Sequence, residues 1–211
     1  IGETPDVELR FGCEVTGVTH TAADVRVAFT NTHGETAAMT TPWLIGCDGA
    51  SSVVRRSADI EFAGFTYPER FVKIGTTFDF YQTGFGFCTR NFLSDPDEWC
   101  NLFKVLGHGP PGIWRAVYPT KIGETDEECL GHAGVQARMQ RFFPKSGDYE
   151  IAYRGLYLVH QRVVETFRKG RILLAGDAAH VNNPIGGLGM NSGIHDACSL
   201  GEKLGRVIRG E

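Results

Sequence analysis

Long hydrophobic runs are missing from this 211-residue sequence. Apolar stretches such as 43–45 and 172–175 have strand length, far short of the roughly 20 residues a bilayer span needs, so no membrane segment is expected. An excess of one charge is missing too: 21 Lys plus Arg stand against 25 Asp plus Glu, with no long single-sign run. That balance gives no support to nucleic-acid or anionic-membrane binding. The six cysteines include no C-x-x-C pair, so neither a zinc site nor a dense disulfide framework is indicated, and reduced thiols in a cytoplasmic protein are expected. The first residue is Ile, and no basic, apolar, small-residue pattern of a signal peptide follows. The expectation is a chain whose start is missing. Glycine, by contrast, is abundant: 27 residues, nearly twice ordinary usage, with no repeat to absorb them. They are expected at turns and close backbone approaches.

Alternation and β-branched residues between 7 and 48 predict a mostly sheet region, with strands at 7–11, 25–29 and 43–47 and turns at 31–34 and 40–42. A turn over 49–52 leads into a short helix, 53–58. The aromatic middle predicts an antiparallel sheet from 71–78, 84–88 and 113–118. One helix is predicted over 125–143, because Asp126, Glu127 and Glu128 complement its dipole and Pro144 stops it. Strand returns at 149–159. Residues 170–177 then read as a buried strand ending in a carboxylate, followed by a glycine loop. A helix from about 191 to 208 carries Ile194, Ala197, Cys198, Leu204 and Ile208 near one face.

Gly107-His108-Gly109-Pro110-Pro111-Gly112 formally matches the G-x-G-x-x-G dinucleotide fingerprint. Pro110 and Pro111 offer no N–H, and strand rather than helix follows, so the match reads as a loop. The motif that would hold the ADP half of a dinucleotide is absent.

Two motifs carry chemistry. In Asp48-Gly49-Ala50-Ser51-Ser52-Val53-Val54-Arg55, Gly49 permits a tight turn and Ser51 or Ser52 can cap the next helix. Arg55 can pair with Asp48 or with a phosphate, the plainer reading being a capped turn with a surface Arg. In Gly176-Asp177-Ala178-Ala179-His180-Val181-Asn182-Asn183-Pro184, continuing through Gly186, Gly187, Leu188, Gly189, Met190 and Asn191, Asp177 ends a strand where α/β sheets grip ligand hydroxyls. The glycines free the backbone, and the N–H groups near Met190 and Asn191 suit an anion at a helix start. His180 reads as a buried ring holding a loop carbonyl rather than as a catalytic base.

At these residues the chain resembles the FAD-dependent aromatic hydroxylases, single-component flavoprotein monooxygenases of the p-hydroxybenzoate hydroxylase type. The resemblance runs from about Val7 to Leu204 and takes in Gly64-Phe65-Thr66-Tyr67-Pro68-Glu69-Arg70-Phe71; Asn183 departs, where some members have a second Pro. It implies an α/β fold, in part α+β, with a partial Rossmann-like FAD-binding domain in residues 1–60, a mostly antiparallel substrate-binding sheet in 61–165 and a return to the FAD-binding domain in 166–211. It further implies that Asp177 holds the FAD ribityl chain and that the Met190 and Asn191 amides, with Gly176, Gly187, Leu188 and Gly189 shaping the loop, face the flavin pyrimidine oxygen. Pro184 then places a carbonyl beside the substrate and the reactive flavin edge. Asp48 and Arg55 match the motif linked with the FAD pyrophosphate and with NAD(P)H.

The reaction implied is hydroxylation of a small phenolic substrate with NAD(P)H and O2 through a flavin hydroperoxide, the cofactor supplying the hard chemistry. Tyr81, Phe87, Trp99, Phe103 and Trp114 are the places to look for substrate contact, against ordinary core as the plainer reading. A flavin-dependent reductase or halogenase on the same scaffold, or a flavin-binding fragment without turnover, are the alternatives; a lysine-bearing tryptophan motif, expected of a halogenase, is not evident. The substrate, the choice of NADH or NADPH and self-association as a homo-oligomer stay open.

Overall fold

The computed structural model of the chain describes residues 6–105, 109, 112–184 and 187–211. It is a mixed α/β fold of two compact units, Ile1–Phe65 with His160–Glu211 and Thr66–Val159, against the expected divisions at 60/61 and 165/166.

The first unit opens with an antiparallel meander of β1 (Glu14–His20), β2 (Val25–Thr30) and β3 (Thr36–Thr41). The Asn31 side chain shapes the β2–β3 turn by accepting from the His33 and Glu35 amides. Residues 7–11 form no strand; they alternate correctly, but no strand among the described residues pairs with them and Phe11 is exposed. The partner of β2 is β1 instead, whose alternation is broken by a bulge between Val15 and Gly17. Thr40 and Thr41, expected in a turn, complete β3.

β4 (Leu44–Gly46) leads through Asp48 into α1 (Val53–Ser57). A Cβ on Gly46 would lie 2.8 Å from the Val54 side chain and 2.9 Å from that of Leu174. Glycine there lets the helix and the neighbouring strand close on β4.

β5 (Phe62–Thr76) carries the chain into the second unit, where β6 (Arg90–Leu93), β7 (Cys100–Val105) and β8 (Ile113–Pro119) form an antiparallel array with β5 in the order β5-β8-β7-β6. Residues 84–88 do not join it, because Gly84 and Gly86 adopt φ of 76° and 73°, outside strand geometry. The glycine-proline segment 107–112 lies largely outside the described residues, and strand resumes at Ile113.

The expected single helix 125–143 is two helices, α2 (Asp126–Leu130) and α3 (His132–Phe142), broken at Gly131 by an extended ψ of 152°. Period-2 alternation places Val72, Ile74, Leu102, Trp114, Ala116 and Tyr118 on the face that packs with Cys129, Val135 and Met139 of these helices. Phe71 and Val117 belong to a separate cluster with Val159, Trp99, Phe103 and Tyr157.

β9 (Ile151–Val164) returns to the first unit, followed by β10 (Arg168–Lys169), β11 (Ile172–Leu174), β12 (His180–Val181) and α4 (Gly189–Ile208). β11 pairs parallel with β4 and antiparallel with β10. Val18, Val25, Val27, Val54, Ile172 and Leu174 form the core of this unit. α4 buries none of its residues, and Ile194 and Ile208, expected on a packed face, are exposed. No helix among the described residues is long and apolar enough to cross a membrane.

Candidate functional site

β11 delivers the chain to a corner at Gly176, whose φ of 60° is left-handed and suits glycine. A single 3-10 turn, Gly176–Ala178, follows. Several backbone groups on either side of Asp177 are engaged internally. The Gly176 amide donates to Asp196 Oδ2 at 2.9 Å, and its carbonyl accepts from the Ala179 amide at 2.8 Å. The Ala178 carbonyl accepts from Arg55 Nη1 at 2.9 Å, and that of Ala179 from the Val164 amide at 2.8 Å. The Asp177 carboxylate is exposed and makes no hydrogen bond to the described residues.

Asp177, Pro184, Gly187, Gly189 and Met190, five of the residues singled out from sequence, line one cleft of about 620 Å3 together with Val181, Asn182 and Gly193. Leu188 is the N-cap of α4 and supplies no side-chain bond to its first turn. A helix start without a capping side chain presents N–H donors and partial positive charge. Asn191 sits in that first turn and donates from its side chain to the Gly187 carbonyl at 3.2 Å. The Pro184 carbonyl accepts from the Gly187 amide at 3.0 Å, and Gly187 takes a left-handed φ of 63°.

The other motif is spent largely on local architecture. Asp48 accepts from Ser52 Oγ at 2.5 Å and from the Val53 and Val54 amides at 2.6 and 3.1 Å, while Ser52 Oγ accepts from the Arg55 amide. Gly49 makes the turn with φ of 78°. Arg55 is 5% exposed, and rather than pairing with Asp48 it donates to the Ala178 and Ala50 carbonyls and lies over the Phe62 ring, 3.9 Å from its centroid. Burial pushes its pKa down, the neighbouring Arg56 adds to this and Asp48 opposes it. Arg55 thus ties the two motifs together across 123 positions of sequence.

Among the described residues His180 holds no carbonyl; its Nε2 lies 2.8 Å from the carboxylate of Asp196. Asp196 and Gly193 lie in the helix stretch Gly193–Leu204 that also resembles the family, but sequence alone assigned them no site role; their i, i+3 spacing puts both on one face of α4. Among the aromatics, Trp114 and Phe87 belong to the core of the second unit, with Tyr81 edge-on to Trp114. Trp114, fully buried, is corrected from substrate contact to packing, whereas Phe87 is partly buried against that core and Tyr81 is 46% exposed. Trp99 and Phe103 lie in the separate aromatic cluster.

Residues 2–211 match the FAD binding domain family. The chain belongs to that family. This FAD binding domain is 35% identical to para-nitrophenol 4-monooxygenase of Pseudomonas sp. (strain WBC-3), covering 98% of this chain and 50% of that protein. It is also 35% identical to 6-hydroxy-3-succinoylpyridine 3-monooxygenase of Pseudomonas putida (strain DSM 28022 / S16), covering 97% and 50%. Its fold matches the crystal structure of p-nitrophenol 4-monooxygenase from Pseudomonas putida DLL-E4 with a TM-score of 0.82 at 33% identity, over 98% of this chain and 51% of that one. The FAD binding domain described here spans about half the length of these relatives.

Proposed function

We propose that this FAD binding domain is part of a monooxygenase that hydroxylates a small phenolic or similar electron-rich aromatic substrate with O2 and NAD(P)H. The observation that carries the proposal is the Asp177 carboxylate, without a hydrogen-bond partner among the described residues, beside the start of α4 that lacks a side-chain cap, both on one cleft. The donor set fits FAD. An ionised carboxylate only accepts and so suits ribityl hydroxyls, whereas a helix start only donates and so suits a flavin pyrimidine oxygen. In this reading Asp177 holds the ribityl chain, and the Met190 and Asn191 amides meet the ring oxygen. Gly176, Gly187, Leu188 and Gly189 let the backbone approach, and Pro184 borders the substrate side. Asp48 and Arg55 act by holding the loop that supports the corner. Bound FAD supplies electron uptake from the nicotinamide and the activation of oxygen; the residues named here bind and orient it and favour negative charge at the helix start.

The test is FAD titration of this chain, followed by quenching of flavin fluorescence. Asp177→Ala should weaken binding about 10-fold or more, since a hydrogen bond to a charged group contributes about 1.5–3 kcal/mol. Equal affinity of the variant and the parent chain would remove Asp177 from the site. In the whole protein, a phenolic substrate should accelerate NAD(P)H oxidation.

A further inference from the structure

The proposed ribityl contact rests on one carboxylate pointing the right way, and the structure shows what holds its backbone. Asp196 uses a single oxygen, Oδ2, as the shared acceptor for the Gly176 amide at 2.9 Å and His180 Nε2 at 2.8 Å. These two donors flank the turn that displays Asp177. Both the Asp196 and His180 side chains are one-fifth exposed, so the bonds compete little with water. The same helix face brings Gly193 against the corner: a Cβ on Gly193 would lie 3.5 Å from the Gly176 Cα. Gly189, Gly193 and Asp196 follow one another at i, i+4 and i+7, so the stripe that grips the corner begins at the helix turn lining the cleft. The spacing between the Asp177 carboxylate and the α4 amides is therefore set by how Asp196 and Gly193 seat the helix.

We propose that Asp196, with His180 as its second donor, is the positioning residue of the FAD site, fixing the Gly176–Asp177 corner relative to the start of α4. The proposal deepens the function proposed above and rests on it. Asp196 touches no ligand in this scheme; it acts through Asp177. That separates it from a residue that merely stabilises the fold, whose loss would add to the loss of Asp177 rather than be absorbed in it.

The experiment is a double-mutant cycle on this chain, with FAD affinity read by fluorescence quenching and the fold checked by circular dichroism and thermal unfolding. Asp196→Ala should weaken FAD binding about 10-fold, the loss of one charge-assisted hydrogen bond in the alignment. Asp196→Asn should recover most of it, because an amide oxygen in the place of Oδ2 still accepts from both the Gly176 amide and His180 Nε2. The Asp177→Ala/Asp196→Ala double variant should bind no more weakly than Asp177→Ala alone. An unchanged affinity for Asp196→Ala, or losses that add in the double variant, would overturn the positioning role. If Asp177→Ala itself binds like the parent, the ribityl assignment fails instead, and the two failures are distinct. A ligand-free check is amide hydrogen exchange: in the parent the Gly176 amide should be protected, and Asp196→Ala should speed its exchange about 10-fold while the amides of β2 stay as they were. Equal Gly176 exchange in the two proteins would count against the clamp whatever the ligand does.

Discussion

At the scale of single residues, this chain uses small and charged side chains to bring backbone segments together. Gly46 is the sharpest case, since a methyl group there meets Val54 and Leu174 at under 3 Å. Gly46→Ala should destabilise the protein by about 1–3 kcal/mol through overpacking, seen as a lower urea midpoint, and an unchanged midpoint would show that α1 has room to shift. Arg55 works in the opposite sense, filling a buried position with a guanidinium whose donors meet two carbonyls and whose face meets Phe62. Lysine cannot copy that fork, so Arg55→Lys should lose about 1–3 kcal/mol of stability and weaken FAD binding along with it. A substitution that kept both would reduce Arg55 to a bystander. The sequence pointed to Arg55 but not to its partner, because Ala178 is remote in sequence and a carbonyl carries no residue-specific signature.

At the scale of elements, local rules worked where the chain solves its problems locally. The short helix after Asp48 and the long final helix both lie close to their predicted bounds, because caps, a left-handed glycine and amphipathic spacing are encoded within a few residues. The capping box of Thr125 and Glu128 starts α2 in the same way. Gly131 shows where local rules fall short. Propensity alone favours Ala over Gly in a helix by about 1 kcal/mol, yet a Cβ at 131 would lie 2.4 Å from the Glu127 carbonyl oxygen. Gly131→Ala should therefore lower stability, not raise it, and a raised thermal midpoint would mean that α2 and α3 can fuse. The strand expected at 84–88 failed for a related reason: aromatic alternation is there, but Gly84 and Gly86 turn the chain.

At the scale of the whole molecule, the carboxylates with altered acidity concentrate in the second unit. Burial raises the Glu124 pKa, but Arg138 and the Lys121 amide outweigh it and leave it below its ordinary 4.5. Burial likewise opposes, and the Tyr81 amide, Trp114 Nε1 and Lys104 together overcome it, at Asp79, which ends below 3.8. The amides of Asp97 and Glu98 lower Asp95, and the amide and hydroxyl of Thr125 lower Glu128. Lowered folded-state pKa values mean that the native state binds fewer protons than the unfolded chain. The stabilisation is present above the ordinary carboxylate values and is lost as pH falls through the folded ones. The urea midpoint followed by tryptophan emission should drop between about pH 6 and about pH 3, and Glu124→Gln should lower it at the higher pH while shrinking the difference. A variant with the parent's full pH dependence would exclude Glu124 as a contributor.

What the sequence by itself determined is the pair of motifs, the turns and caps around them and the strand–loop–helix order that gathers Asp177, Gly189 and Met190 at one cleft. All of that depends on residues near one another in the chain. Only the tertiary structure decided that Arg55 joins the two motifs, that Asp196 rather than a carbonyl receives His180, and that Trp114 is core while Trp99 joins a separate cluster. Those outcomes turn on which distant backbone groups arrive within hydrogen-bonding distance and which sheet face the helices cover, and neither follows from a local pattern.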